Sequence, residues 1–135
     1  MLTTKCIHPQ IMAALALCGH GDKILIADGN YPLDAKSGEA QKVYLGLCPG
    51  LPTVTQVLES LLSVVKVEKA EVMLPADGTR PDIFNDFEAL LPGVELAGID
   101  RNGYYDACSV PAVRLAISTG EKRVYGNLLI TIGVA

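Results

Sequence analysis

The stretch Cys18–Pro32, C-G-H-G-D-K-I-L-I-A-D-G-N-Y-P, contains the clearest strand signal in the chain. Its short apolar run, Ile24–Ala27, is bounded by glycine-containing loops, a pattern typical of a strand buried in a sheet. A histidine between two glycines, His20, precedes the run, and Asp28 follows it. We therefore predict a buried strand over 23–28 that carries a titratable side chain before it and another at its end.

Helix and strand patterns alternate outward from this strand. Proline in the first turn and glycine after the end predict a helix from His8 to Cys18. Thr53 is a suitable N-cap for a second helix to about Val65, where apolar residues recur at helical spacing. Further helices are predicted over 79–91 and 103–109, and further strands over 42–48, 70–75, 94–100, 113–119 and 126–134. This alternation is typical of the α/β class.

The chain of 135 residues is long enough for one domain, and half of its residues are apolar. We predict a single-domain three-layer sandwich over 1–135 with a mixed β-sheet. A turn at Thr119–Lys122 separates the last two strands, so we expect a C-terminal β-hairpin. The final strand is apolar and ends almost at the last residue, so we expect it to be covered, with another subunit as one candidate for the cover.

Composition excludes several classes of function. The formal net charge is −4 and no basic stripe is present, which excludes a nucleic-acid-binding surface. No apolar run approaches the roughly 20 residues that a membrane span requires, and the N-terminus lacks the features of a signal peptide. Four cysteines without a C-x-x-C motif predict buried, reduced thiols in a cytoplasmic protein. They are Cys6, Cys18, Cys48 and Cys108.

Two side chains near the first strand are candidates for acid–base chemistry. The glycines around His20 leave its ring uncrowded, and an imidazole can both give and take a proton near neutral pH. The alternative is a loop histidine that interacts with the C-terminal end of the preceding helix. Asp28 lies at the strand edge where ligands collect in open α/β sheets. Its alternative role is to cap the following turn.

Further polar side chains lie at other predicted strand ends. Arg101 follows the strand over 94–100, with Tyr105 soon after, and a guanidinium can donate several hydrogen bonds to hydroxyl groups. The alternative is a solvated surface arginine. Tyr125 and Asn127 flank a glycine before the last strand, where a ligand can approach the backbone. The alternative there is the shoulder of a hairpin.

Two C-x-H pairs, Cys6–His8 and Cys18–His20, raise the question of a zinc site. They bracket a predicted helix about 15 Å long at about 1.5 Å per residue, so one ion would struggle to reach both pairs. We predict no metal and no other cofactor. A metal hydrolase remains an alternative that bound zinc would support.

Two distant motifs resemble the D-ribose pyranase and L-fucose mutarotase family. The first is G-H-G-D at Gly19–Asp22, followed by an apolar strand, Asp28 and the pair Tyr31-Pro32. The second is T-G-E at Thr119–Glu121, followed by Y-G-N at Tyr125–Asn127 and an apolar strand that ends in G-V. Length and element order extend the resemblance over nearly the whole chain.

The resemblance implies a mutarotase-like domain over 1–135, a cofactor-free isomerase that interconverts the anomers or ring forms of a monosaccharide by general acid–base catalysis. His20 resembles the proton donor, and Tyr125 or Asp28 would help to deprotonate or orient the anomeric hydroxyl. The sugar-binding positions of the family correspond here to Asp28, Arg101, Tyr105 and Asn127. The resemblance also implies a homo-oligomeric ring, typically a decamer, with its sites between neighbouring subunits.

Gly126 and the absence of histidine and lysine over 98–111 resemble the fucose branch more than the ribose branch, so L-fucose or a related sugar is the expected substrate. The alternatives are a D-ribose pyranase and a non-catalytic sugar-binding or regulatory oligomer, which would not need a titrating His20. His20 and Asp28 lie at opposite ends of one predicted strand. Either the G-H-G-D loop folds back, or the two residues serve a site shared between chains.

Overall fold

The structure is a computed structural model that describes all of residues 1–135. Four helices and six strands make up the chain. The helices are α1 (Pro9–Ala16), α2 (Val54–Leu62), α3 (Ile83–Leu90) and α4 (Arg101–Ala107). The strands are β1 (Lys23–Ala27), β2 (Gln41–Tyr44), β3 (Val67–Met73), β4 (Leu96–Ile99), β5 (Val113–Ser118) and β6 (Leu128–Ile132). The predicted α/β class is confirmed.

All six strands form one mixed sheet in the order β2-β5-β1-β6-β3-β4. Strand β6 is antiparallel to β1 and to β3, whereas β1 with β5, β2 with β5, and β3 with β4 pair in parallel. The carboxyl ends of β1, β3, β4 and β5 therefore meet at one edge of the sheet, together with the beginning of β6. This edge carries the candidate site.

The predicted C-terminal β-hairpin is wrong. Strand β5 has parallel partners on both of its edges, so β6 cannot pair with it. The connection 119–127 instead crosses the end of β1, where Thr119 Oγ1 donates to Ala27 O at 2.7 Å and the Gly29 N–H donates to Glu121 O at 2.9 Å. The final strand is consequently paired on both edges within its own chain, and all five of its residues are buried. The strand is covered, as expected, and its own chain supplies the cover rather than another subunit.

Helices pack on both faces of the sheet, which confirms the three-layer sandwich. Strand β1 divides its side chains between the faces, as the two-residue repeat of a strand requires. Ile24 and Ile26 face the core under α1, α2 and α3, whereas Leu25 and Ala27 face a smaller core under α4 and the segment 31–40. The smaller core contains Tyr31 and Tyr104, and it borders the candidate site.

Local sequence signals explain several boundaries. Thr53 caps α2 through a capping box, in which its hydroxyl accepts from the Gln56 N–H and the Gln56 side chain accepts from the Thr53 N–H. Helix α3 begins at Ile83, later than predicted, because the Thr79 N–H and hydroxyl both donate to Asp77 Oδ1 and close a separate turn. No helix in the fold is both long enough and apolar enough to cross a membrane.

Candidate active site

A pocket of about 380 Å³ opens at the edge where the parallel strands end. Five of the six side chains predicted as site residues line it, although they are spread over 100 positions of the sequence. Asn30, Tyr31, Met73 and Val124 complete its wall. The five predicted residues are Asp28, Arg101, Tyr105, Tyr125 and Asn127.

The floor of the pocket is a buried hydrogen-bond network around Asp28. The Asp28 N–H donates to Asn127 Oδ1 at 2.8 Å, and the Gly126 N–H donates to Asp28 Oδ2 at 3.1 Å. Asp28 and Asn127 are each only 3% exposed. The Asn30 N–H also donates to Asp28 Oδ1 at 2.9 Å, so the aspartate caps the turn that follows it as well as lining the pocket.

Burial dominates the ionisation of Asp28. Loss of solvent raises the pKa of this carboxyl above its ordinary value, although hydrogen bonds from Asn30, Gly126, Tyr31 and Asn127 act in the opposite direction. A carboxylate whose pKa is raised holds a proton more readily than an ordinary aspartate. Asp28 can therefore accept either a hydrogen bond or a proton from a hydroxyl group in the pocket.

One wall of the pocket is formed by Arg101 and Tyr125. Arg101 is the first residue of α4, and its Nη2 donates to the Tyr125 hydroxyl at 3.3 Å. Tyr125 has φ +60°, and no other non-glycine residue in the chain has a positive φ. Such a conformation is uncommon for a bulky side chain and is found at ligand sites whose surroundings hold it in place.

Aromatic rings form another part of the wall. The rings of Tyr31 and Tyr105 meet edge to face, with their centroids 5.5 Å apart. The Tyr31 hydroxyl donates to Lys36 O at 2.7 Å, and the Lys36 ammonium lies 5.5 Å from the centre of the Tyr105 ring. The pocket thus combines a polar floor with an apolar side, as expected of a site for a small molecule.

His20 is the predicted site residue that the pocket does not contain. It precedes β1, whereas Asp28 follows it, and five extended residues span about 16 Å at about 3.3 Å each. The loop does not fold back over the sheet, because the Gly21 N–H donates to Ile132 O and the Ile132 N–H donates to Asp22 O, each at 2.9 Å. His20 is therefore fixed at the opposite edge of the sheet.

Glu68 is a partner of His20 that sequence reasoning missed. His20 Nε2 lies 2.9 Å from Glu68 Oε2 and 3.1 Å from Oε1, and both side chains are about half exposed. The residues are 48 positions apart and meet because β1 and β3 begin at the same edge. The glutamate lies in a charged stretch, V-E-K-A-E, with no local signal that distinguishes it from its neighbours.

A larger cleft of about 600 Å³ lies on the other side of Tyr125, between the segment 75–83 and Arg123. Tyr125 is the only predicted site residue in its wall. Two of the charged groups of this cleft are already engaged, since Asp77 accepts from Thr79 and Arg123 is paired with Asp86. The smaller pocket is therefore the candidate active site.

The cysteines and histidines do not form a metal centre. No group of three or more histidine, cysteine, aspartate and glutamate side chains in the chain could hold a metal ion. All four cysteines are free; Cys6 and Cys108 are buried, as predicted, and burial raises the pKa of the Cys108 thiol to about 11. The prediction of burial is wrong for Cys48, which is exposed in a surface turn, and Cys18 is only partly buried.

Comparison with known proteins agrees with this architecture. The chain is 26% identical to a D-ribose pyranase of Chloroflexus aggregans, over 99% of this chain and 98% of that protein. It is 31% identical to a human fucose mutarotase, over 95% and 89% of the two chains. The solved structure of Bacillus subtilis RbsD complexed with D-ribose superposes with a TM-score of 0.84, at 26% identity, covering 100% of this chain and 99% of that one.

The model of one protein family matches the chain from its first residue to its last, over residues 1–135. The match includes both motifs, G-H-G-D before β1 and Y-G-N before β6, and every residue that lines the pocket. The chain belongs to the RbsD / FucU transport protein family.

Proposed function

We propose that the chain is a cofactor-independent sugar mutarotase that opens and recloses the ring of a monosaccharide. The observation that supports this most is the convergence of Asp28, Arg101, Tyr105, Tyr125 and Asn127 on one pocket. Relatives along the full length of the chain are named D-ribose pyranase and fucose mutarotase, which supports the same class of reaction.

The reaction requires only proton transfers. Opening a cyclic hemiacetal needs one proton delivered to the ring oxygen and one removed from the anomeric hydroxyl, and reclosing reverses both. Positioned acids and bases typically accelerate such steps about 10²–10⁴-fold. Asp28 or the Tyr125 hydroxyl removes or orients the anomeric proton, while Arg101 and Asn127 hold the other hydroxyl groups.

His20 serves as the acid that protonates the ring oxygen, but it acts on the pocket of a neighbouring subunit. This assignment reconciles the G-H-G-D motif with a histidine held at the far edge of the sheet. The Glu68 carboxylate lies within hydrogen-bond distance of His20 Nε2, so it sets the orientation of the imidazole ring. The arrangement requires a homo-oligomer, and a decameric ring is the assembly that the family resemblance favours.

The exposed apolar side chains support a neighbouring subunit near His20. Leu17 is 85% exposed and Val134 69% exposed. Cys18, His20 and Val134 line the same surface depression. Such side chains grouped around a candidate catalytic residue favour a protein interface over a solvent-exposed surface. The four free thiols favour a reducing, cytoplasmic location.

L-fucose or a related sugar is the substrate that the Y-G-N motif favours, and D-ribose is the second candidate. The RbsD structure that superposes on this chain contains D-ribose, which supports the second candidate equally well. The two sugars differ in size and in the substituent at the carbon next to the ring oxygen. Tyr31, Met73 and Tyr105 supply the apolar surface of the pocket, so we propose that they contact that part of the sugar.

Saturation-transfer NMR on the anomeric protons of L-fucose, and then of D-ribose, tests the proposal. Wild-type protein is expected to accelerate the exchange between anomers, and His20→Ala is expected to abolish the acceleration while leaving sugar binding measurable. Lys5→Ala, on the exposed N-terminal segment, is the matched control and should behave as wild type. Binding of both sugars without accelerated exchange would instead favour the non-catalytic sugar-binding oligomer.

A further inference from the structure

An ion-pair bridge fastens the segment that carries Tyr125 to the helical layer of the fold. Glu121 is 3% exposed, and its carboxylate receives Arg123 Nε at 3.0 Å and Arg123 Nη2 at 3.1 Å. The other end of the same guanidinium, Nη1, donates to Asp86 Oδ2 on α3 at 2.6 Å. Arg123 therefore spans from the buried carboxylate to the helix.

The carboxylate of Glu121 is held from other directions as well. The Arg123 N–H donates to Oε1 at 3.2 Å, and the Val54 N–H in the first turn of α2 donates to Oε2 at 3.3 Å. Burial opposes ionisation of this group, but the hydrogen bonds and charge of Arg123 outweigh burial and lower the pKa of Glu121. The pair is thus charged at neutral pH and committed to one geometry, since a guanidinium presents a rigid fork to a carboxylate.

The bridge closes the turn in which Tyr125 adopts its left-handed conformation. A methyl group at Gly126 would lie 2.8 Å from Arg123 O, 3.0 Å from Glu121 Cγ and 3.2 Å from Ile83 Cδ1, so little space separates the turn from the bridge. The next backbone N–H after Tyr125 is the one that donates to Asp28. Arg123, Tyr125 and the Gly126 N–H thus lie within one short, closely packed turn, and a movement of Arg123 is expected to disturb both Tyr125 and the floor of the pocket.

We propose that Arg123 is a positioning residue, which holds Tyr125 and the Gly126 N–H in their working geometry through the bridge between Glu121 and Asp86. Arg123 does not line the sugar pocket and does not touch a reacting atom. It acts by opposing relaxation of the strained turn. The proposal rests on the mutarotase activity proposed above for the effect on rate, but the effect on local structure is independent of that activity.

A pair of variants separates positioning from folding. Arg123→Met keeps an unbranched side chain about as long as the aliphatic part of arginine and removes the guanidinium, whereas Asp86→Asn removes only the charge of the exposed anchor on α3 and leaves Glu121 paired. Arg80→Gln is the matched control, because Arg80 pairs with Glu88 on the same helix as Asp86 and makes no hydrogen bond or ion pair with the segment 119–127.

Two readouts are needed for each variant. The first is the ¹H–¹⁵N spectrum, in which the Gly126 amide reports its hydrogen bond to Asp28. The second is the rate of anomeric exchange against sugar concentration, which separates kcat from KM. We expect Arg123→Met to shift the Gly126 amide and to lower kcat about ten- to a hundredfold with a smaller change in KM, as small misplacements of catalytic groups do.

We expect Asp86→Asn to act in the same direction but more weakly, Arg123→Lys to recover part of the loss, and Arg80→Gln to match wild type in both readouts. An unchanged Gly126 amide and unchanged kcat in Arg123→Met would overturn the proposal, as would an equal effect of Arg80→Gln. If Arg123→Met fails to fold, Asp86→Asn decides the question in the same way. If wild-type protein shows no exchange activity, the proposed function fails, while the amide shift still tests the positioning role.

Discussion

Asn127→Ala is the perturbation that most directly tests the buried network under the pocket. The variant removes the oxygen that accepts the Asp28 N–H at 2.8 Å. Water has no easy access to replace it, because Asp28 and Asn127 are each only 3% exposed. A buried N–H without an acceptor costs about 1–3 kcal/mol. We therefore expect the free energy of unfolding to fall by about 2 kcal/mol.

Urea denaturation followed by far-UV circular dichroism is the appropriate assay, because the chain contains no tryptophan. With a slope of about 1–3 kcal/mol per molar urea, the expected loss moves the midpoint by about 1 M. All measurements need the same protein concentration, since oligomerisation stabilises the folded chain in a concentration-dependent way. Asn127→Asp is the companion variant. It keeps an acceptor for the Asp28 N–H, but the carboxylate that it adds repels the Asp28 carboxylate increasingly as both ionise.

Asn85→Ala is the matched control, because this exposed asparagine on α3 accepts only from Arg80. A surface substitution of this kind changes stability by no more than about 0.5 kcal/mol. The reasoning is refuted if Asn127→Ala is as stable as Asn85→Ala. It is also refuted if Asn127→Asp is no more stable than Asn127→Ala at low pH, where the added carboxyl is neutral.

Two further predictions concern the same floor. Gly126→Ala places a methyl group 2.8 Å from Arg123 O, so we expect the free energy of unfolding, measured by urea denaturation, to fall by about 1–3 kcal/mol and anomeric exchange to slow. Gly19→Ala, whose added methyl group meets no atom within 4 Å, is the control. Equal stability of the two variants would contradict the prediction. Burial raises the pKa of Asp28, so the folded state binds its proton more tightly than the unfolded state, and the contribution of this group to stability is lost as pH rises through its folded-state pKa. The stability of wild type relative to Asp28→Asn should therefore decline as pH is raised from about 4, and a rising difference would be inconsistent with the raised pKa.

The layers of the fold follow from signals that are local in sequence. The Ile24–Ala27 run, the Thr53 cap and the glycine and proline boundaries are sufficient to predict most helices and strands, because each depends on neighbouring residues. The position of β6 in the sheet cannot be predicted from such local signals. It depends on which edges of β1 and β5 are already occupied, and the turn residues 119–122 favour a hairpin that this long-range pairing prevents.

The candidate site likewise contains residues that the sequence predicts and contacts that it does not. Asp28 and Arg101 could be predicted because the carboxyl ends of parallel strands meet at one edge. The contacts of Glu68 with His20, and of Arg123 with Asp86 beside the site, could not be predicted, since the partners lie 48 and 37 positions apart and no pattern in the sequence marks either pairing. The sequence left open whether His20 and Asp28 share a site within one chain. The backbone hydrogen bonds of Gly21 and Asp22 with Ile132 exclude a loop that folds back to Asp28.

A shared site between subunits is the central claim, and subunit mixing tests it most directly. His20→Ala and Asp28→Asn are each expected to lack anomeric exchange activity when pure. The two proteins are denatured together in equal amounts, refolded and assayed by saturation-transfer NMR. If His20 of one subunit serves the pocket of another, about a quarter of the sites in a randomly mixed symmetric oligomer receive both intact residues, and about a quarter of the wild-type rate returns. If each site is built from a single chain, no site is intact and the mixture remains inactive, which would contradict the account.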